Sequence, residues 1–172
     1  MEKGRRVGFP ARLFQSDKEL EKMKAREKEI VVFYCTQQEE RVTQVLKGLN
    51  GRIKLRVRKV VLPCSGKLEV FQLTKALEGG AEGVALFGCP EGECRYMVGS
   101  SRARGRVSYA GRILETIGLE KERVKRFVLA GQIGTETLEA FSTWVDEITA
   151  MVSPGKDPDL GDENAKREAG ET

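Results

Sequence analysis

Between residues 29 and 152 the hydrophobic pattern switches repeatedly between two periods. Short apolar runs, EIVVFYC (Glu29–Cys35), LRVRKVVLPC (Leu55–Cys64), GVALFG (Gly83–Gly88) and RFVLAG (Arg126–Gly131), have the length and β-branched or aromatic content of buried strands. Between them, apolar residues fall three and four apart. Val42, Val45, Leu46 and Leu49 form a helical stripe that stops at Gly51. GKLEVFQLTKALEGG reads as a second amphipathic helix, closed by Gly79 and Gly80. Val107, Ala110, Leu114 and Ile117 mark a third, ending at Gly118, and Leu138, Phe141, Val145, Ile148 and Val152 mark the last. Strand–helix alternation with crossovers of this length builds right-handed βαβ units. The expected fold is a small α/β, flavodoxin-like domain: a parallel sheet of about four strands, order 2-1-3-4, with helices on both faces.

The flanks follow another pattern. Residues 1–28 read as a charged N-terminal extension, in which SDKELEKMKAREKE favours helix but has only a thin apolar stripe. Residues 153–172 carry proline, glycine and charge with almost nothing to bury, the composition of a flexible tail. At 172 residues and 40% apolar, the chain suits one domain, residues 29–152, with a real core. No run approaches the ~18–20 apolar residues of a membrane span, and the N-terminus has no secretory signal, so a cytoplasmic protein is expected.

The net charge of +4 is too small to argue for nucleic acid, but it is unevenly spread. RIKLRVRK (Arg52–Lys59) and the stretch from Arg95 to Arg112 each hold basic residues and no acid. The second includes Arg102, Arg104 and Arg106, near a helix N-terminus whose dipole they oppose, so something anionic is expected nearby. Both segments are candidate docking faces for an acidic partner surface.

Histidine is absent. That removes Ser–His and Cys–His nucleophile pairs, an imidazole general base, and any histidine-containing zinc or Rieske site. Four cysteines remain, spaced C-x28-C-x24-C-x4-C. Cys35, Cys64 and Cys89 end the first three expected strands, and Cys94 lies in the loop after the third. Parallel strands share one carboxyl edge, where open α/β sheets bind ligands, so the four converge. Crowded thiolates call for a cation: an iron–sulfur cluster with four cysteine ligands or a structural zinc. Ligands dispersed over several strand ends of a stable domain suit a cluster better than paired zinc knuckles. Cysteines that are simply buried apolar residues remain the alternative. Gly66, Gly88, Gly92 and Gly99 crowd the same edge, where backbone N–H groups could approach sulfur.

The combination LPCSG … GAEGVALFGCPEGECRY resembles the delta, iron–sulfur subunit of methyl-viologen-reducing hydrogenase. That family's pattern is a strand ending in cysteine, then CSG, then GADGVxxxGCxxGDCHY. The likeness covers residues 29–152. It implies a 2Fe-2S electron-transfer subunit, non-catalytic alone, with Cys35, Cys64, Cys89 and Cys94 as metal and cofactor ligands. It also implies a position between an electron donor, hydrogenase or formate dehydrogenase, and an HdrA-like flavin/iron–sulfur subunit of an anaerobic, heterodisulfide reductase-associated complex. A structural or adaptor subunit, with a four-cysteine zinc site or no metal, is the competing reading. The chain departs from the pattern twice. CTQQEE holds Cys35 alone where the family has C-x-x-C, and Arg95 replaces the family's histidine.

Overall fold

The computed structural model describes residues 28–131 and 134–151. The expected 153–172 tail and all but the last residue of the expected 1–28 extension lie outside them. Strands β1 (Glu29–Cys35), β2 (Arg56–Leu62), β3 (Ala81–Gly88) and β4 (Val124–Val128) form one parallel sheet in the order β2-β1-β3-β4, as expected. Helices α1 (Glu39–Gly48), α2 (Val70–Glu78), α3 (Gly99–Thr116) and α4 (Thr135–Met151) follow the strands in turn.

β1 explains the layering. Its residues alternate between the two faces, and from Ile30 to Cys35 all are buried. Ile30, Val32 and Tyr34 join Val42 and Val45 of α1 and Phe141, Trp144 and Ile148 of α4. Val31 and Phe33 join Leu73 and Ala76 of α2 and Ala103, Val107 and Ala110 of α3 on the other face. The chain steps from β1 to β2 across one face and returns to β3 and β4 across the other, as right-handed crossovers require. The register sets Cys35 opposite Leu62, and Tyr34 opposite Phe87, so the carboxyl ends of the three strands lie level.

Local chemistry marks the helix limits. Glu69 and Gln72 form a capping box at the start of α2, with the Glu69 N–H donating to Gln72 Oε1 at 2.8 Å. α3 starts at Gly99, well before the stripe that begins at Val107. Its first buried positions are Gly99, Ser100 and Ala103, which are too small to register as hydrophobic periodicity. Ile117, expected inside the third helix's stripe, follows the helix and is 63% exposed. β4 begins two residues earlier than the apolar run implied, at Val124, because the half-buried Lys125 and Arg126 separate buried Val124 from Phe127 and break the run.

The most densely aromatic part of the core joins α4 to β3 and β4. Trp144, which lies beside the expected stripe, is fully buried and donates its Nε1–H to the Glu122 carbonyl at 2.8 Å. It stacks on Phe141 and meets Phe127 near edge-on, both with centroids 5.6 Å apart. Gly83 makes the space: a β-carbon there would lie 3.0 Å from Trp144 Cζ2. Trp144→Ala should therefore destabilise the fold by about 3–5 kcal/mol, the range for deleting a buried large aromatic. Urea denaturation of the metal-free protein measures it, and a loss below about 1 kcal/mol would contradict this packing.

Candidate functional site

Each cysteine reaches the carboxyl edge of the sheet by a different route. Cys35 is the last residue of β1. β2 stops at Leu62, because Pro63 has no N–H for the ladder, and Cys64 follows as the N-cap of a 3-10 turn, Ser65–Lys67. Cys89 is one residue past the end of β3. Cys64 and Cys89 therefore lie just beyond the strands they were expected to end. Cys94 comes from the loop leading into α3. All four are free thiols, buried, and form one contiguous cluster at the crevice between β1 and β3, where the strand order reverses.

Within the cluster the Cys35 thiol faces the Pro63 carbonyl, 3.8 Å from its sulfur, and Cys64 and Cys94 flank the start of α3. Gly99 lies between Cys64 and Cys94: a β-carbon on it would sit 2.5 Å from Cys64 Sγ and 3.1 Å from Cys94 Sγ. A β-carbon on Gly66 would lie 2.6 Å from the Gly99 α-carbon. Glycine at both positions is thus a steric requirement of the site. Gly88 and Gly92 serve other ends. A side chain at Gly88 would meet Arg126 and Ser65, whereas Gly92 faces open space with φ +95°, a turn conformation that favours glycine.

The electrostatics are uneven. Burial pushes the Cys64 thiol up; the Gly66 N–H, 3.4 Å from its sulfur, opposes this, and Cys94 and Cys35 reinforce it. Burial also raises Cys89, against the Gln38 amide and with the charges of Cys35 and Cys94. At Cys94 burial again acts upward. There the backbone N–H groups of Tyr96, Ser100 and Gly99, with the Cys64 thiol, outweigh it and hold the group below its ordinary value. Gly99 and Ser100 open α3, so the positive end of an 18-residue helix faces this sulfur.

Several residues around the site were not singled out from the sequence. Gln38 is buried and donates its Nε2–H to Cys89 Sγ at 3.1 Å. Arg41 holds that amide, donating to Gln38 Oε1 at 3.4 Å and to the Leu129 carbonyl at 3.1 Å. The buried Ser100 hydroxyl donates to the Cys89 carbonyl, and Arg126 Nη2 donates to the same carbonyl at 3.0 Å and to Ser100 Oγ at 2.5 Å. Arg126 Nε is buried with no partner among the described residues. Only the glutamine pair in CTQQEE, which begins two residues after Cys35, could have signalled any of this.

Within the expected basic docking set, two arginines of α3 are paired with acids of this chain. Arg104 pairs with Glu91 at 2.9 Å, and Arg106 pairs with Glu69 at 3.0 Å. Arg106 also donates to the Gly66 and Leu68 carbonyls, tying α3 to the Cys64 turn. Arg106 is thus a brace, whereas the Arg104–Glu91 pair is an exposed surface contact. Arg58, in the other basic segment, pairs with Glu29 at 3.2 Å.

Among the described residues, no three histidine, cysteine, aspartate or glutamate side chains form a set placed to hold a single metal ion. A two-iron core spreads its demand differently, taking two cysteines on each iron and four in all. The donor set, the glycine cradle and the N–H groups aimed at sulfur all fit such a group.

The model of one protein family, described as methyl-viologen-reducing hydrogenase, delta subunit, matches residues 30–152. The chain belongs to that family. Among its relatives is the vhu iron-sulfur D subunit of the F420-non-reducing hydrogenase of Methanocaldococcus jannaschii, 29% identical over 123 residues, covering 72% of this chain and 89% of the relative. The corresponding iron-sulfur D subunit of Archaeoglobus profundus F420-non-reducing hydrogenase is 35% identical over 86 residues, 50% of this chain and 63% of the relative. A third relative is a far larger polypeptide, the A subunit of the Ferredoxin/F(420)H(2)-dependent CoB-CoM heterodisulfide reductase of Methanosarcina acetivorans. It is 28% identical over 122 residues, 69% of this chain but 14% of that protein.

The approach of Cys64 to Cys94 can be tested without any metal. Mild oxidation of the metal-free protein, followed by disulfide mapping, should return Cys64–Cys94, whose sulfurs flank Gly99. Gly99→Ala should deplete this bridge. Mixed pairings in equal yield would show that the thiols have no preferred partner.

Proposed function

We propose that this delta-family chain is an electron carrier that holds a 2Fe-2S cluster on Cys35, Cys64, Cys89 and Cys94. The observation carrying this reading is the meeting of four buried free thiols at one sheet edge, the number of cysteine ligands such a cluster takes. When bound, the cluster would supply a centre that accepts and releases one electron at a time. The protein's own groups would set the energy of that exchange. The N–H groups of Tyr96, Gly99 and Ser100, the Gly66 N–H and the Gln38 amide all donate toward ligand sulfurs, which favours the more negative, reduced state. Arg41 fixes the Gln38 amide, and Ser100 with Arg126 fixes the Cys89 backbone.

The partners follow from the relatives. In the Methanosarcina protein a segment like this chain is built into a heterodisulfide reductase polypeptide. Fusion of that kind supports an HdrA-like flavin/iron–sulfur subunit on one side of the exchange. The hydrogenase subunits among the relatives support a hydrogenase on the other side, with formate dehydrogenase as an alternative donor. No described helix is long and apolar enough to cross a membrane. A zinc adaptor is less well supported, because a single ion would need the four sulfurs around one point.

Protein purified anaerobically should be brown-red and carry iron and acid-labile sulfide in equal amounts, about two of each per chain. Replacing any one of the cysteines with alanine should abolish that composition, and colourless protein containing zinc but no sulfide would overturn the proposal. Gln38→Leu should keep the cluster but lower its reduction potential by about 20–60 mV, the one-electron equivalent of losing a hydrogen bond contributing about 0.5–1.5 kcal/mol. An unchanged potential in protein-film voltammetry would show that the amide does not tune the site.

A further inference from the structure

The loop that delivers Cys94 continues into Tyr96, Met97 and Val98, which turn apolar side chains outward at 54%, 83% and 49% exposure. Met97 has φ 54°, the one non-glycine residue with positive φ among the described residues. A γ-turn bond from the Val98 N–H to the Tyr96 carbonyl, 2.6 Å, and a bond from the Met97 N–H to the Cys94 carbonyl, 2.8 Å, hold it there. A long side chain adopts such a backbone only where its surroundings impose it, and such positions concentrate at functional sites. Here the result is mechanical: the Met97 thioether projects to solvent instead of folding over Cys94.

Beside this apolar ridge is a cleft of about 390 Å3 between the Cys64 turn and the start of α3, lined by Cys64, Lys67, Tyr96, Val98 and Arg102. One of the candidate ligands therefore lines the cleft. The charges around it are one-sided. Glu91 and Glu69 are occupied by Arg104 and Arg106. Lys67, Arg95 and Arg102 are exposed and make no ion pair among the described residues, with Glu93 the one unpaired acid of the loop.

We propose that this face, the Tyr96–Val98 ridge with the cleft beside it, is where an acidic protein partner docks. An apolar side chain of the partner enters the cleft, and its carboxylates meet Lys67, Arg95 and Arg102. The apolar centre supplies the anchor, and the basic rim supplies orientation and association rate. The inference rests on the electron-carrier reading for its purpose: exchange falls steeply with distance, and this surface is the cover over the Cys64–Cys94 pair. A second exposed apolar area, the groove between α2 and α3 beside Phe71 and Ile117, lacks such a rim and does not border the thiols.

The full chain, tagged at its C-terminus, is isolated anaerobically with its native complex. Hydroxyl-radical footprinting then compares free and assembled chain. Tyr96, Met97 and Val98 should be protected in the complex, while Phe71 and Ile117 keep their reactivity. Met97→Glu, and separately Lys67→Glu with Arg102→Glu, should each weaken assembly by at least roughly tenfold, and wild-type assembly should weaken as salt is raised. The charge-reversal pair lies on exposed side chains and keeps the test open if Met97→Glu disturbs the loop. Several outcomes overturn the proposal: unchanged assembly of both variants at low salt, protection confined to Phe71 and Ile117, a homodimer that buries the ridge, or a chain that purifies alone. Iron and sulfide analysis of the same preparation separates the two claims. A protected ridge on a chain without iron refutes the carrier reading and leaves the docking face standing.

Discussion

Because the strands run parallel, each delivers its carboxyl end to the same edge of the sheet, and the reversal of strand order between β1 and β3 opens a crevice there. Cysteines far apart in the chain arrive together for that reason alone. No helix or loop has to reach across the molecule to collect them. Only Cys94 needs extra chain, and the Pro90–Val98 loop supplies it before turning into α3.

Stability and site chemistry are largely separate in this design. Two apolar layers, one on each face of the sheet, hold the fold, and neither includes the cysteines. The site is a small polar-sulfur pocket set at the end of that core. Its groups are restrained by backbone donors, by the Gln38–Arg41 pair and by the Ser100–Arg126 pair. The uneven thiol electrostatics follow from this. Cys94 faces a helix start and several N–H groups, whereas Cys64 and Cys89 are dominated by burial. Burial favours the neutral thiol at Cys64 and Cys89, and a cation that takes the sulfurs as thiolates would relieve that conflict.

The chain belongs to the delta-subunit family, and its relatives include subunits of hydrogenases and of a heterodisulfide reductase. The departures from the family pattern take on meaning in the structure. Without a second cysteine after β1, the position three residues beyond Cys35 is Gln38, whose amide donates to Cys89 instead of adding another thiol. Arg95, at the place of the family's histidine, is exposed beside the apolar ridge and not at the sulfurs, so its chemistry faces outward.

The architecture was legible in the order of residues along the chain. Continuous β-rich runs alternating with three-and-four stripes admit few topologies once crossovers must be right-handed, and the edge shared by the cysteines follows from parallel pairing. Local pattern also marked Gly66 and Gly99 as neighbours of sulfur, since their spacing from Cys64 and Cys94 is short. The start of α3 was hidden because Gly99, Ser100 and Ala103 bury close contacts without hydrophobic bulk. Folding in three dimensions was needed to show that Gln38 and Arg41 serve Cys89. The same holds for Arg106, which braces the Cys64 turn against α3. Those outcomes depend on distances between segments dozens of residues apart. Periodicity reports which face a residue occupies and carries no information about what waits on the other side of the contact.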